Sequence, residues 1–195
     1  MHRFIILFYT VLIFTGVSIA QPAKSLRLSF GAGVYNSPYY HHSLEGGFYR
    51  ISFEYHLAKR HILSAMYLTG KHYYVDINNT NVVMGTEKGN RSTRTNDHIV
   101  GALYQYKMLN KQHWEIMGGA GLGLLTKTED YTAILNNNYV PFTSTWTDLV
   151  FPTNVSLYYK PAKDWHLGIV SGMVIHPDFP LLGWHFGAKL AYVIQ

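Results

Sequence analysis

The sequence predicts an all-β protein, an eight-stranded antiparallel up-and-down barrel, from three observations. Stretches of about ten residues alternate between apolar and polar side chains, which is the period of a β-strand. The breaks between these stretches alternate between tight turns and longer segments rich in Asn, Thr, Tyr and Gly. Hydrophobic residues make up 48% of the chain and charged residues only 14%, fewer charges than soluble domains carry. An even number of strands in such a meander closes into a barrel with both chain ends on one side.

Eight segments carry the strand period: 25–35, 48–57, 62–74, 98–108, 113–125, 149–160, 165–176 and 183–195. Tight turns are predicted at 58–61, 109–112 and 161–164. Long loops are predicted at 36–47, 75–97, 126–148 and, shorter than the others, 177–182. Both faces of the segment 62–74 look apolar, so the sequence leaves its facing unassigned.

Residues 1–20 predict a signal peptide, and residues 21–195 predict the barrel domain. A positive charge near the start is followed by an apolar run and a small-x-small cleavage site that ends at Ala20. The apolar run is shorter than the roughly 20 residues that a spanning helix needs. The chain has no cysteine, which excludes disulfides, a thiol nucleophile and a Cys-based zinc site. The net charge of +5 is too small and dispersed to indicate a nucleic-acid partner.

Glycine distribution indicates which face of the strands lies inside the barrel. Glycines collect on the charged face of the predicted strands, as in Gly119, Gly121 and Gly123. A water-facing strand gains nothing from glycine, whereas the crowded interior of an eight-stranded barrel needs small residues beside long charged ones. The charged face is therefore predicted to line the interior, and the apolar face to lie outside.

Aromatic residues on the apolar face support a membrane position. They fall near the strand ends, as the two aromatic girdles of a membrane barrel do, at Tyr49, Tyr55, Tyr106, Trp114, Tyr159, Trp165, Trp184 and Tyr192. A closed barrel also satisfies every backbone hydrogen bond without water. The sequence therefore predicts a transmembrane β-barrel whose apolar face meets lipid. The alternative is a soluble periplasmic, lipocalin-like carrier whose apolar face lines a ligand cavity.

The last strand carries the pattern Gly187-x-x-Leu190-x-Tyr192, which resembles the C-terminal assembly signal of bacterial outer-membrane barrels. Phe186 and Gln195 depart from that pattern. With the meander over residues 25–195, the chain resembles the small outer-membrane β-barrel proteins, such as the OmpX-like proteins and the membrane domain of OmpA. The resemblance implies an outer-membrane location, short turns in the periplasm, long loops outside, and contact with the outer-membrane assembly machinery and lipopolysaccharide.

The predicted interior contains a charge network: Arg27, Arg50, Glu54, Lys107, Glu115, Lys160 and Lys189, accompanied by His56, His113, His166 and His185. Buried charges must be paired or solvated, since a lone buried charge costs several kcal/mol. Because eight strands leave room for little more than side chains, a salt-bridge plug is favoured. An ion path through a small pore is the alternative.

Catalytic and metal sites are weakly indicated. His42, Ser43 and Glu45 bring a base, a hydroxyl and a carboxylate together in the first long loop, and some barrels resembling this fold are lipid A deacylases or acyltransferases. A metal site at the long-loop end would need His41, His42, His176 and Asp178 to converge, and no regular spacing enforces that. The sequence therefore predicts no cofactor and no metal, and favours a non-enzyme.

The long loops are the predicted contact surfaces. Loop 75–97 carries the basic residues Lys88, Arg91 and Arg94, which suit lipopolysaccharide phosphates or an external ligand. Loop 126–148 carries Tyr131, Tyr139, Phe142 and Trp146, and exposed aromatics are common in recognition surfaces. Three functions follow: a non-catalytic barrel for envelope integrity or surface binding, a lipid A-modifying enzyme, and a small pore.

Overall fold

A computed structural model describes residues 25–37, 43–44, 46–76, 91–135, 138–178 and 181–194. The predicted signal peptide lies outside these ranges. Eight long strands follow in chain order: β1 Leu26–Asn36, β2 Gly46–His56, β3 His61–Asp76, β4 Arg91–Asn110, β5 Trp114–Leu135, β6 Asn138–Tyr159, β7 Trp165–Ile175 and β8 Gly183–Ile194. A two-residue strand, Ser43–Leu44, pairs with Tyr74 and Tyr73 of β3.

Each long strand is antiparallel to the strand before and after it in the chain. The sheet closes where β1 pairs with β8, from Leu26 opposite Ile194 to Asn36 opposite Trp184. This is the predicted eight-stranded up-and-down barrel, and the prediction of the fold class is confirmed. No helix among the described residues has the length and apolar character needed to cross a membrane.

The apolar face of the barrel lies outside. Side chains such as Phe30, Leu122, Val155 and Leu167 are about half exposed, whereas the residues between them along each strand are buried. A soluble barrel would bury its apolar face, so the lipocalin-like alternative is wrong. This arrangement requires an apolar solvent around the wall.

Strand β3, whose facing the sequence left open, alternates like the others. Ile62, Met66 and Leu68 are buried inside the barrel, and Leu63 and Tyr67 point outward. Both faces looked apolar because the interior itself contains apolar clusters. The alternation of polar and apolar residues therefore disappears in this strand, although the alternation of facing does not.

The predicted loops 75–97 and 126–148 are wrong over most of their described residues. Residues 91–97 belong to β4, and nearly all of 126–148 belongs to β5 and β6, which pair out to Leu135 opposite Asn138. The physical reason lies in the solvent. Beyond the apolar band the outward face turns polar, as at Thr126 and Thr147, and the buried inward face carries charges such as Lys127, so the apolar signal that identifies a membrane strand stops before the strand does.

The end of the apolar band can be located on the outward faces of β5 and β6. Leu124 lies opposite Leu149, and the next outward pair along the strands is Thr126 opposite Thr147. On β5 the outward face is apolar from Trp114 to Leu124, 11 residues in all by position. A tilted membrane strand needs about 9–11 residues. The strands therefore cross the membrane between these positions and continue beyond it.

Candidate functional site in the lumen and the outer hairpin

Three cations and two carboxylates form a continuous chain of ion pairs inside the barrel. Arg27 Nε lies 2.6 Å from Glu54 Oε2, and Arg27 Nη1 lies 2.6 Å from Glu115 Oε1. The other oxygen of each carboxylate binds a lysine, with Lys189 Nζ 2.7 Å from Glu54 and Lys107 Nζ 3.3 Å from Glu115. The five residues come from β1, β2, β4, β5 and β8, so the lumen network ties five strands together across the interior.

The strand register makes room for these long side chains. Lys189 lies between Gly31 of β1 and Gly168 of β7, and Arg50 is also opposite Gly31. Small neighbours on the inner face leave the volume that a lysine or arginine chain fills. Glycine is unfavourable in most strands, but here its lack of a side chain leaves space for the long cations inside the barrel.

The ion pairs are enclosed by apolar and aromatic groups. The guanidinium of Arg27 lies 4.5 Å from the ring centroid of Tyr158, and Lys189 Nζ lies 5.0 Å from the same centroid. A small apolar cluster packs at this level, formed by Ile62, Met117, Tyr158 and Ala191. Toward the long-loop end the interior is filled by a larger apolar layer: Tyr35, Phe48, Met66, Leu68, Ile99, Leu103, Leu125, Val150, Val170, Val174 and Leu182.

Arg50 is buried in the lumen but stands apart from the ion-pair chain. Among the described residues no carboxylate lies within ion-pair distance of it. With the Asn154 amide oriented to accept, Arg50 Nη2 and Nη1 lie 2.8 and 3.1 Å from its oxygen. A neutral amide therefore replaces the carboxylate that the other interior arginine has.

Lys160 and His113 were predicted in the interior, but the structure places them elsewhere. Strand β6 ends at Tyr159, so Lys160 lies beyond the closed wall, where its Nζ donates to Asn110 Oδ1 at 2.9 Å. His113 is exposed just before β5. His166 and His185 are buried inward, and His56 is half-buried and bonded to Ser25 through its Nδ1 at 2.8 Å.

A second buried ion pair near the outer mouth was not predicted. Asp97 Oδ1 lies 3.5 Å from Lys127 Nζ, and the Tyr35 hydroxyl donates to Asp97 Oδ2 at 2.7 Å. Both residues lie in segments that the sequence predicts to be loops, for which alternation predicts no facing. Continuing the inward alternation of β4 and β5 by one step beyond Ile99 and Leu125 would have found them.

The predicted interface aromatics lie on the outer wall. Tyr49 points outward and is 60% exposed. The other seven also lie on the outward face, at Tyr55, Tyr106, Trp114, Tyr159, Trp165, Trp184 and Tyr192, and of these Trp184 is half-buried. Near the short turns two pairs are in ring contact, Trp114 with Tyr159 at 5.1 Å and Trp165 with Tyr192 at 4.9 Å between centroids. The two pairs mark the level of one membrane interface.

The long hairpin formed by Thr126–Leu135 and Asn138–Asp148, which we call the outer hairpin, projects past the apolar band. Threonine pairs connect its strands on the outward face, with hydroxyl oxygens 3.1 Å apart in Thr126 and Thr147 and 3.3 Å apart in Thr128 and Thr145. Residues 141–145 are exposed on both faces. Strand β7 pairs with β6 only as far as Phe151, so in the described residues one edge of the hairpin has no neighbouring long strand.

The base of the outer hairpin is attached to the barrel mouth through Trp146 and Asp148. Trp146 packs against the apolar layer, with Lys127 Nζ 5.8 Å from its ring centroid and the His176 ring 6.5 Å away. His176 Nε2 lies 2.9 Å from Asp148 Oδ2. The hydrogen bond from His176 holds the pKa of the Asp148 carboxyl below its ordinary value. These contacts fix the direction in which the hairpin leaves the barrel.

The weakly indicated catalytic trio is only partly covered by the structure. Ser43 lies in the short strand opposite Tyr74, while His42 and Glu45 fall outside the described residues. Of the candidate metal ligands at the long-loop end, His41 also falls outside the described residues. His176 Nδ1 accepts a hydrogen bond from the Asp178 backbone N–H at 3.1 Å. Among the described residues no group of three or more His, Asp or Glu side chains is placed to hold a metal ion.

Two of the three predicted loop cations lie in a strand. Arg91 begins β4, and Arg94 is exposed with Asp130 of β5 opposite it in register. Lys88 falls in the part of the chain that is not described. The interpretation of Arg91 and Arg94 as loop residues is wrong, because β4 continues well past the membrane boundary.

The fold is shared with solved outer-membrane barrels of low sequence identity. Ail of Yersinia pestis, in complex with the heparin analogue sucrose octasulfate, is 10% identical with a TM-score of 0.55, covering 87% of this chain and 99% of that one. Neisserial surface protein A is 14% identical with a TM-score of 0.54, covering 86% and 95%. A major outer membrane protein of Thermus thermophilus is 15% identical with a TM-score of 0.59, covering 89% and 100%. No protein-family model matches the sequence, and a search of curated proteins gave no match.

The closed eight-stranded barrel with an apolar outer wall and a charged, filled interior defines a class, the small integral outer-membrane β-barrel proteins. Within that class, this chain has the fold of Ail and Neisserial surface protein A, as the resemblance to OmpX-like proteins implied.

Proposed function

We propose that this protein is a non-catalytic outer-membrane barrel that binds a macromolecular partner at the cell surface through its outer hairpin. The observation that carries the proposal is the length of that hairpin. Strand β6 runs from Asn138 to Tyr159, and its outward face becomes polar at Thr147. The part from 138 to 147 is 10 residues by position, or about 33 Å along the strand. A membrane anchor alone requires no such extension.

The surface chemistry of the outer hairpin suits a glycan. Its exposed side chains are mainly threonine and serine hydroxyls, with Phe142 at 39% exposure providing an apolar ring face. Hydroxyls can donate and accept hydrogen bonds to sugar hydroxyls. The exposed ring offers a flat surface for the apolar face of a sugar. In the solved complex of Ail, the bound molecule is the heparin analogue sucrose octasulfate, so sulfated glycans belong among the first probes.

The interior supports a structural role for the barrel beneath this surface. The ion-pair chain and the apolar layer fill the lumen across the described residues, and neither exposes an acid–base pair to a substrate. The proposal also implies that outer-membrane lipid and lipopolysaccharide surround the wall. The C-terminal pattern at Gly187, Leu190 and Tyr192 supports recognition by the outer-membrane assembly machinery.

Truncation of the outer hairpin tests the proposal. Residues 129–144 are replaced by an Asn-Gly turn, which keeps the pairing of Thr128 with Thr145 and matches a two-residue hairpin connection. Folding of the barrel is verified by the mobility difference between heated and unheated samples in SDS gels. Full-length and truncated proteins in detergent are then compared on an array of neutral and sulfated glycans.

Binding by the full-length protein and its loss on truncation, with the gel shift intact, is the expected result. The variant Phe142→Ser should weaken the same binding, and Tyr73→Ser, at an exposed aromatic residue of β3 outside the outer hairpin, serves as the matched control. Equal glycan binding by the full-length and truncated proteins would contradict the proposal. So would binding by neither protein, together with no difference in adhesion of cells expressing the two.

A further inference from the structure

The turns at the short-turn end of the barrel carry a cluster of basic residues, which we call the basic rim. Its five cations are Lys59, Arg60, Lys111, Lys160 and Lys163, and Asp164 is the one acidic residue among them. All three tight turns contribute at least one cation. The net charge of these described turn residues is 5 − 1 = +4.

The described side chains at the opposite end of the barrel have a net charge of the opposite sign. Among the outer residues whose side chains the structure describes, the exposed and half-exposed charges are Lys71, Arg94, Glu129, Asp130, Asp148 and Asp178. Two cations and four acids give 2 − 4 = −2. The buried pair of Asp97 and Lys127 adds nothing to this sum. The cations of the described barrel surface are therefore concentrated at one membrane interface.

The aromatic pairs fix the depth at which the basic rim meets the bilayer. Tyr159 directly precedes Lys160, and Trp165 follows Lys163 by two positions. Tyrosine and tryptophan of an aromatic girdle sit at the level of the lipid headgroups. Residues one or two positions further from the apolar band therefore lie beside the headgroup phosphates.

Two cations of the basic rim donate hydrogen bonds to neutral groups and so keep their charge. Arg60 Nη1 lies 3.1 Å from the Tyr106 hydroxyl, and Lys160 donates to the Asn110 amide oxygen. Both acceptors are neutral. These bonds orient the two cations along the wall without cancelling their charge.

We propose that the basic rim is a binding surface for the phosphate groups of anionic glycerophospholipids in the leaflet that contacts the short turns. A lysine or arginine beside an anionic membrane surface strengthens attraction by about fivefold. Charge-assisted hydrogen bonds from ammonium and guanidinium groups to phosphate oxygens add orientation. The barrel thereby selects the phospholipids around its inner end, a property independent of what the outer hairpin binds.

The four tryptophans of the chain allow the two membrane interfaces to be examined separately. Trp114 and Trp165 lie at the basic rim, and Trp184 lies at the opposite interface. The full-length barrel is reconstituted in phosphatidylcholine bilayers that contain phosphatidylglycerol. Bromine atoms near the headgroup end of the acyl chains are placed either on the phosphatidylglycerol or on the phosphatidylcholine. In a Trp146→Phe, Trp184→Phe background, quenching reports which lipid lies beside the basic rim.

Quenching at Trp114 and Trp165 should show an enrichment of phosphatidylglycerol of about two- to fivefold, which falls in 1 M salt as screening predicts. Combined Lys111→Gln, Lys160→Gln and Lys163→Gln substitutions should abolish it. The matched control instead carries Trp114→Phe, Trp146→Phe and Trp165→Phe, so that Trp184 alone reports on the other interface, where no enrichment is expected. Lys71→Gln with Arg94→Gln controls for loss of charge alone.

Equal quenching by the two brominated lipids at the basic rim would overturn the proposal. Enrichment of the same size at Trp184, or enrichment that survives the triple substitution, would do so as well. The gel shift on heating shows whether each variant is a folded barrel, so a failure to fold is not mistaken for a loss of lipid selection.

Discussion

Replacing Glu54 with glutamine tests whether the lumen network stabilises the barrel. Glu54 is fully buried and accepts from both Arg27 and Lys189, whereas Arg27 has a second carboxylate in Glu115. The substitution keeps the size of the side chain and removes its charge. Lys189 then has no carboxylate within ion-pair distance among the described residues.

The expected magnitude follows from the charges in the lumen. Four cations, Arg27, Arg50, Lys107 and Lys189, face two carboxylates, so the excess of 4 − 2 = +2 rises to +3 in the variant. Removing one partner of a buried ion pair costs about 3–5 kcal/mol. Because Arg27 retains Glu115, we expect a loss of about 3 kcal/mol in the free energy of unfolding, at the lower end of that range.

The assay is equilibrium unfolding in urea of the barrel in lipid vesicles, followed by tryptophan fluorescence. The control is Lys160→Gln, which removes a cation outside the network and should change the stability by no more than about 0.5 kcal/mol. In a double-mutant cycle, Lys189→Met should lower the free energy of unfolding less in the Glu54→Gln background than in the unmodified protein. The difference, which is the coupling energy between the two side chains, should be about 0.5–3 kcal/mol. A loss below about 1 kcal/mol for Glu54→Gln, or additive effects in this cycle, would refute the ion-pair explanation and indicate that water solvates the lumen charges.

Three further predictions concern packing, conduction and catalysis. Gly121→Ala should destabilise the barrel by about 1–3 kcal/mol, because a Cβ there would overlap the Ala102 carbonyl oxygen and lie 2.7 Å from Leu103 Cα. Gly47→Ala, whose Cβ would have its nearest neighbour at 3.6 Å, should have little effect in the same urea titration. Planar-bilayer recordings should show no steady single-channel current, since the apolar layer and the ion pairs fill the described lumen; discrete openings would restore the pore hypothesis. Ser43→Ala should leave the lipid A mass spectrum of expressing cells unchanged, and a mass shift that depends on Ser43 would replace the binding proposal with the enzyme hypothesis.

The membrane part of the barrel was predictable because one physical rule governs it. Every strand that crosses lipid must show lipid an apolar face, so alternation in the sequence marks both the strand and its facing. Strand β3 is the exception, since Ile62 and Leu68 belong to the apolar filling of the lumen. Sequence alternation cannot separate an apolar interior from an apolar exterior when both contact the same strand.

The candidate site was only partly predictable. Alternation within a strand predicts which charged side chains face inward, but it does not predict which of them pair. Arg27, Glu54, Glu115 and Lys189 lie inward as their position within a strand indicates. Alternation along the sequence also predicts that Lys160 faces inward, but Lys160 follows the last residue of β6. Beyond the end of a strand the pairing no longer fixes the direction of a side chain. Pairing partners also depend on the tilt of the strands, which brings Arg27 of β1 to Glu115 of β5. The sequence carries no local signal for that contact.

The change from Leu124 to Thr126 on the outward face of β5 marks where the β5–β6 pair passes from lipid into water. Below that position the outward face must be apolar, and substitutions there carry the cost of polar groups in lipid. Above it the backbone pairing continues without a break, while the outward face meets water and carries the threonine pairs. The outer hairpin therefore takes its direction from the barrel, to which Lys127 and Trp146 attach its base, whereas the exposed side chains of residues 141–145 neither fill the lumen nor face lipid. Its surface chemistry can differ widely without changing the barrel, which is the physical reason to look for the binding specificity of this protein there.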